Sequence, residues 1–296
     1  MKAPRRDEDD GMQTTLDEAF LRSLVDMPAV ERRVQQRLAQ LTDGRALLRF
    51  FSHYASWNGC FANGVAALTS LVGRQREMFR EAGFARAVAD RSNYVASFFF
   101  DAARDEYDDH INPARDSHRC MAQAALISLR DFYGLDDALL DEDEPASLHA
   151  VNQAVIDGYT GRVHPPEGSA EGDLEPAGVQ RTFAAMGYHL GSELLADREF
   201  SLIDEALRRD HGPLVQHLLR STVTLAGGTH RCYAWVGVHS GHGGGVEADH
   251  FEHAAQGARL ALRFLALPST DLAMQSLVAG FRAFDGDHAR FFNLPV

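Results

Sequence analysis

The chemistry of this chain is concentrated in one run, Val246-Glu247-Ala248-Asp249-His250-Phe251-Glu252-His253, which directly follows the triple glycine Gly243-Gly244-Gly245. Asp249 and His253 are four residues apart, so they share a face if the run is helical. That face continues through Gly257, Leu260, Phe264 and Leu267. A carboxylate and an imidazole heading an apolar stripe cost folding free energy unless something compensates them. A metal ion is the usual compensation, which directs attention to further ligands at inward positions.

Three other segments supply them. Over residues 92–111 the apolar face runs Val95, Phe99, Ala102 and then Glu106, at spacings of four, three and four. Asp105 is its rotated neighbour. The next helix begins with His118 above the stripe Met121, Ala125, Leu129, Phe132. Over residues 178–208 the face runs Met186, Leu190, Glu193, Asp197, Phe200, Leu207. Glu193 sits in its middle, with His189 one turn earlier and Glu199 part-way round the cylinder. Glu106, His118, Glu193 and the Asp249/His253 pair, with His250 beside it, thus place metal-capable groups inward from four helices. Mixed carboxylate and imidazole ligation in a bundle is the chemistry of non-haem iron or manganese. Each group also has a plainer reading. His118 alone reads as a core histidine or a helix cap, Glu106 as the partner of Arg104 or Arg119, and Glu193 as half of a buried ion pair. Four such coincidences together favour one shared site.

Positioning these groups requires a helical scaffold, and 3.6-residue periodicity is widespread while alternating strand patterns are nearly absent. The chain reads as all-α, with helices expected over residues 14–26, 28–41, 45–73, 75–89, 92–111, 117–133, 146–158, 178–208, 211–226, 229–240, 246–267 and 270–283. Asp116 or Ser117 suits the cap of the sixth helix and Gly134 its end. Residues 1–12 read as a charged, disordered tail without the apolar core of a signal peptide. Residues 13–296 read as one helical domain, interrupted at 160–178 by a Pro-, Gly- and acid-rich loop suited to a lid. Asp and Glu outnumber Lys and Arg by 42 to 29, which argues against nucleic acid as the main partner. No run reaches the length of a membrane span. Three cysteines without a CxxC pattern suggest reduced thiols in a cytoplasmic protein. The glycines 241 and 243–245 lack the Lys-Ser/Thr and the preceding strand of a phosphate-binding loop, and read better as a helix break beside the site.

Asp105-Glu106-Tyr107, a polar turn with Pro113, and Ser117-His118 at a helix start resemble the signature of haem-oxygenase-like di-metal oxidases. Glu193 is similar to that family's middle carboxylate, and Val246 to His253 to its last metal helix, with a small residue such as Gly257 following. The resemblance spans roughly residues 90 to 265. It implies a bundle of about seven core helices, with extra helices at the N-terminal side here. It also implies two Fe(II) ions, dioxygen as co-substrate, an external electron donor and a small-molecule substrate. The family's reactions include N-oxygenation of amines and oxidative C–C or C–N cleavage of amino or fatty acids, in specialised biosynthesis. Glu106, His118, Glu193, Asp249 and His253 would be ligands. The family's further His falls here on Gly245, so His242, His250 or Glu247 would take that position. The Asp249-to-His253 spacing is also one residue longer than the commonest family form.

Other roles stay open beside this one. His189 and His239 are candidates for proton transfer, and Phe98, Phe99, Phe183 and Trp235 for apolar walls. Arg104, Arg119 or Arg181 would suit a substrate carboxylate. A homodimer is the expectation for a helical enzyme of this size. A metal-free enzyme of cofactor biosynthesis on the same scaffold, and a non-catalytic helical binding protein, are the alternatives. A haem ligated by His53 fits poorly with inward carboxylates. A ferritin-like bundle needs two Glu-x-x-His pairs, and the chain has one, Glu247-x-x-His250.

Overall fold

The computed structural model describes residues 16–107, 116–162, 176–240 and 246–295, without the side chains of Asp197 and of residues 246–249. The expected tail, most of the expected loop at 160–178, His242 and the four glycines therefore lie outside the described residues. So do the side chains of Glu247 and Asp249.

Twelve α-helices are described. They are α1 (Glu18–Ser23), α2 (Met27–Leu38), α3 (Gly44–Gly73), α4 (Arg86–Ala89), α5 (Ser92–Tyr107), α6 (His118–Tyr133), α7 (Ala146–Tyr159), α8 (Pro176–Asp210), α9 (Gly212–Leu218), α10 (Ala234–His239), α11 (Val246–Phe264) and α12 (Asp271–Phe292). The protein is thus mostly helical, as its periodicity predicts. Side-chain caps fix several starts: Asp26 accepts from Ala29 N, Asp43 from Ala46 N, and Ser117 from Cys120 N. Gly134 ends α6 in the left-handed region. No helix among the described residues is long and apolar enough to cross a membrane.

Three expected helices, 75–89, 211–226 and 229–240, are corrected. Residues 75–89 form turns and isolated bridges before the four-residue α4: Phe79 pairs with Leu265 and Arg80 with Asp90. Between α9 and α10 the chain makes an antiparallel hairpin, β1 (Thr222–Leu225) with β2 (Gly228–Arg231), in the register Thr222 to Arg231. Its turn, Ala226-Gly227, has positive φ at both residues, the geometry that matches strand twist. The alternating Thr-Val-Thr-Leu before it is the strand signal that the helical reading passed over. The last helix runs nine residues beyond its expected end at 283, to Phe292.

The long helices α8 and α12 form the centre. A Cβ on Gly187 would lie 1.9 Å from the Leu277 carbonyl oxygen, and one on Gly280 1.9 Å from that of Ala184. The reciprocal pairs 187/277 and 184/280 define an antiparallel crossing in direct backbone contact, which no larger residue at either glycine would allow. Around this crossing α3 lays down an aromatic core. Trp57 stacks on Phe291 at 4.4 Å between ring centroids, and Tyr54 lies 5.3 Å from Trp235. Such buried rings supply much of the apolar stabilisation of a domain this size.

Candidate functional site

The antiparallel packing of α11 on α5 decides which residues of the Val246–His253 run turn inward. A Cβ on Gly257 would sit 2.9 Å from Phe98 Cβ, so the two helices touch closely there. Moving back along α11, His253 comes beside Asp101 and His250 beside Asp105. His250 is 9% exposed as a side chain and His253 46%. The buried stripe of α11 is therefore His250, Ala254, Gly257, Ala258 and Ala261, and His250 takes the inward place expected of His253. His253 Nδ1 rests 3.7 Å from Asp101 Oδ2 at the outer edge of the same contact.

His250 joins two helices through its two nitrogens. Nε2 lies 2.8 Å from Asp105 Oδ2 on α5, and Nδ1 lies 3.8 Å from Glu193 Oε2 on α8. The other oxygen of Glu193 is 3.3 Å from His189 Nδ1, one turn away on α8. Behind His189 stands Tyr159 of α7, whose hydroxyl is 3.3 Å from His189 Nδ1 and 2.8 Å from Ser192 Oγ. Tyr159 is fully buried, and its hydroxyl meets the same His189 nitrogen as the Glu193 carboxylate.

Glu106 and His118 form a second pair, joining α5 to α6. His118 Nδ1 is 3.0 Å from Glu106 Oε2. Neither expected arginine takes Glu106: Arg119 donates to the Ala55 carbonyl, and Arg104 lies beside Asp101 and Asp105. The His118 ring meets the ring of His239 edge-on at 4.4 Å, and His239 is stacked on Phe200. His239 Nδ1 is 2.6 Å from the Trp235 carbonyl oxygen. That carbonyl can only accept, so Nδ1 carries the proton and Nε2 carries the lone pair in the neutral ring. Beyond Glu106, burial and the charge of Glu106 push the Tyr107 phenol up. It stays protonated and donates to Asn63 Oδ1 at 2.7 Å.

Glu106, Glu193 and His239 line one small cavity of about 30 Å³. That is room for one or two waters or an ion. Its walls are Trp57, Phe61, Phe200 and Phe284, so Phe98, Phe99, Phe183 and Trp235, expected in this role, do not form them. Phe99 reaches only the His189 ring, at 5.8 Å. Arg104, Arg119 and Arg181 are absent from the lining; Arg181 instead donates to the Thr160 carbonyl.

A third carboxylate, Glu199, also lines the cavity. Its Oε1 accepts from the Tyr54 hydroxyl, and its Oε2 lies 2.8 Å from His288 Nε2. His288 Nδ1 is 2.9 Å from Arg33 Nη1. A guanidinium can only donate, so Nδ1 accepts and Nε2–H is the donor to Glu199. The signal for Glu199 was present in the spacing Ser192, Ala196, Glu199. His288 lies beyond the expected end of the last helix.

Of the anticipated residues, Glu193, His189 and His250 form one cluster and Glu106, His118 and His239 another, and of these Glu106, Glu193 and His239 line the cavity. His253 joins neither, while His242, Glu247 and Asp249 lie outside the described side chains. Among the described residues no group of three or more His, Cys, Asp or Glu is arranged to hold a metal ion. The acids and imidazoles meet as pairs. No family model, no curated protein and no solved structure matches this chain.

Proposed function

We propose that this protein is a non-haem iron-dependent, dioxygen-activating oxidoreductase of the haem-oxygenase-like di-metal type, acting on a small amine- or amino-acid-like substrate by N-oxygenation or oxidative C–C or C–N cleavage. One observation carries the reading: Glu106 of α5 and Glu193 of α8, which pair with His118 of α6 and His250 of α11, both line a single small cavity. Burying ionisable groups from four helices is costly unless they serve a common ligand.

The donor chemistry suits iron. Glu106 and Glu193 offer carboxylate oxygens, and His118 and His250 offer imidazole nitrogens. Each imidazole now holds a carboxylate at the position a cation would take. The remaining donors would come from His242, Glu247 and Asp249, in the segment that runs directly into His250. When bound, iron supplies the reduction of dioxygen, with electrons from an external donor. The chain's own residues do the rest. Tyr159 and His189 orient Glu193, the aromatic walls exclude water, and His239 Nε2 offers a lone pair to accept a proton at the cavity.

The test is metal analysis of protein produced with added iron, followed by mixing of the anaerobic ferrous protein with dioxygen. The reading expects close to stoichiometric iron and a transient visible absorption. Zero metal under these conditions would overturn it. A second reading, a non-catalytic helical binding protein, draws support from the same pairs: each site carboxylate already has an imidazole, and no three described groups form a cation site. It expects no iron and no change in melting temperature on adding it.

A further inference from the structure

We infer that Trp57 and Tyr54 form a one-electron relay at the cavity, in which Tyr54 is the final electron donor and Glu199 takes its proton; this rests on the dioxygen chemistry proposed above, which supplies the one-electron oxidant. The chain holds two tryptophans. Both are fully buried beside the fully buried Tyr54, whose ring centroid lies 6.0 Å from that of Trp57 and 5.3 Å from that of Trp235. Trp57 also belongs to the cavity lining, where the other rings are phenylalanines and His239. An indole is the most easily oxidised of these rings, so an oxidant in the cavity takes its electron from Trp57.

The three rings differ in where their protons can go. An indole or a phenol that loses an electron becomes strongly acidic at its N–H or O–H. The indole N–H groups of Trp57 and Trp235 are buried and have no acceptor among the described residues. A radical on either indole therefore keeps its proton and a full positive charge, which burial disfavours. Tyr54 instead donates to Glu199 Oε1, and His288, held in the Nε2–H form by Arg33, donates to the other oxygen. Tyr54 can thus release an electron and a proton together and remain as a neutral phenoxyl. Tyr188 and Tyr233 also donate to carboxylates, but Asp287 and Asp204 each carry an arginine as well, so a proton arriving there breaks an ion pair. The steps balance: one electron passes from Trp57 to the oxidant, one from Tyr54 to the Trp57 radical cation, and the phenol proton crosses the existing hydrogen bond to Glu199. Trp57 is restored, and the products are the Tyr54 phenoxyl and a protonated Glu199.

Laser flash photolysis of the metal-free full-length protein tests the relay without iron. Photoionisation at the red edge of the tryptophan absorption, with an added electron scavenger, places the radical on an indole. In the wild type the tryptophan-radical absorption should convert into that of a phenoxyl. Tyr54→Phe should lose most of the phenoxyl and prolong the tryptophan radical. Glu199→Gln keeps the phenol and removes the base, and should slow the conversion by roughly tenfold or more. If Tyr54→Phe does not fold, Glu199→Gln carries the test. No phenoxyl in the wild type, an undiminished phenoxyl in Tyr54→Phe, or an unchanged rate in Glu199→Gln would overturn the inference. So would iron-loaded protein that, mixed with dioxygen in the absence of substrate and frozen, shows no phenoxyl by electron paramagnetic resonance. Iron binding without photochemical conversion removes the relay and leaves the oxidase reading. Conversion without iron binding supports the relay and removes the oxidase reading.

Discussion

Two kinds of inward carboxylate occur along α5, α8 and α12. Asp204 and Asp287 are each closed by a tyrosine and an arginine. Asp204 accepts from Tyr233 and from Arg208 Nε at 2.9 Å, and Asp287 accepts from Tyr188 at 2.8 Å and from Arg290. Neither lines the cavity. Glu106 and Glu193 are instead paired with histidines and face an enclosed space. An arginine stays charged at any working pH, so an Asp–Arg–Tyr knot is a permanent part of the fold. A histidine can lose its proton, and then presents a lone pair where it had presented a charge. The choice of partner thus separates carboxylates that hold the bundle together from carboxylates that a cation can recruit. Glu199 stands between the two kinds, with a tyrosine, and a histidine fixed by an arginine.

The comparison is broken most directly by removing one carboxylate of each kind. Asp204→Ala leaves the buried Tyr233 hydroxyl without its acceptor and should cost about 2–3 kcal/mol in urea unfolding. Glu193→Gln keeps size and hydrogen bonding and should cost within about 1 kcal/mol. Equal losses in the two variants would erase the distinction.

Ligand linkage gives the next largest effect. Ferrous iron at about a hundred times its dissociation constant should stabilise the wild-type protein by about 2.7 kcal/mol. His118→Ala and Asp249→Ala should lose that gain in anaerobic melts, along with metal-dependent turnover, while helix content stays unchanged. An iron-dependent rise that persists in His118→Ala would remove this residue from the site.

His53 sharpens the contrast, being an imidazole without a carboxylate. Burial lowers its pKa below the ordinary value of 6.5, and its Nδ1 has no partner among the described residues. A depressed folded-state value means that the unfolded chain binds the proton more readily. Stability is therefore present above about pH 6.5 and is lost as the pH falls below it. His53→Gln should flatten that decline in denaturation curves taken from pH 7.5 to 5, and an unaltered slope would assign the decline elsewhere.

The smallest effect concerns a thiol. Burial pushes Cys60 up to about 11. At pH 8 it should alkylate with iodoacetamide far more slowly than a free thiol in the unfolded chain, as followed by mass spectrometry. Equal rates would show that α3 opens readily beside the cavity.

Much of this arrangement is legible in the sequence because large apolar residues mark the faces of long helices. Val95, Phe99 and Ala102 lead to Glu106, and Met121, Ala125 and Leu129 lie below His118, all buried as their spacing predicts. The α11 face was misread by one position for a physical reason. Its buried stripe is made of Ala254, Ala258 and Ala261, small residues chosen for the close approach to Phe98 and Phe99, whereas Leu260 is only partly buried. Weighting bulk over closeness favoured His253 over His250. Glu199 shares a helix face with Ser192 and Ala196, but its role, like that of His288, comes from contacts across α3, α8 and α12. Periodicity within one helix does not carry such information.

The claim that a cation draws these groups together is tested most directly by a crystal structure of protein grown with ferrous iron under anaerobic conditions, with anomalous data collected on both sides of the iron edge. The account predicts an anomalous peak within ligand distance of Glu106, His118, Glu193 and His250, with their present ion pairs opened toward it. A fully occupied lattice with no peak there, and with His118 still on Glu106 and His250 still on Asp105, would contradict it.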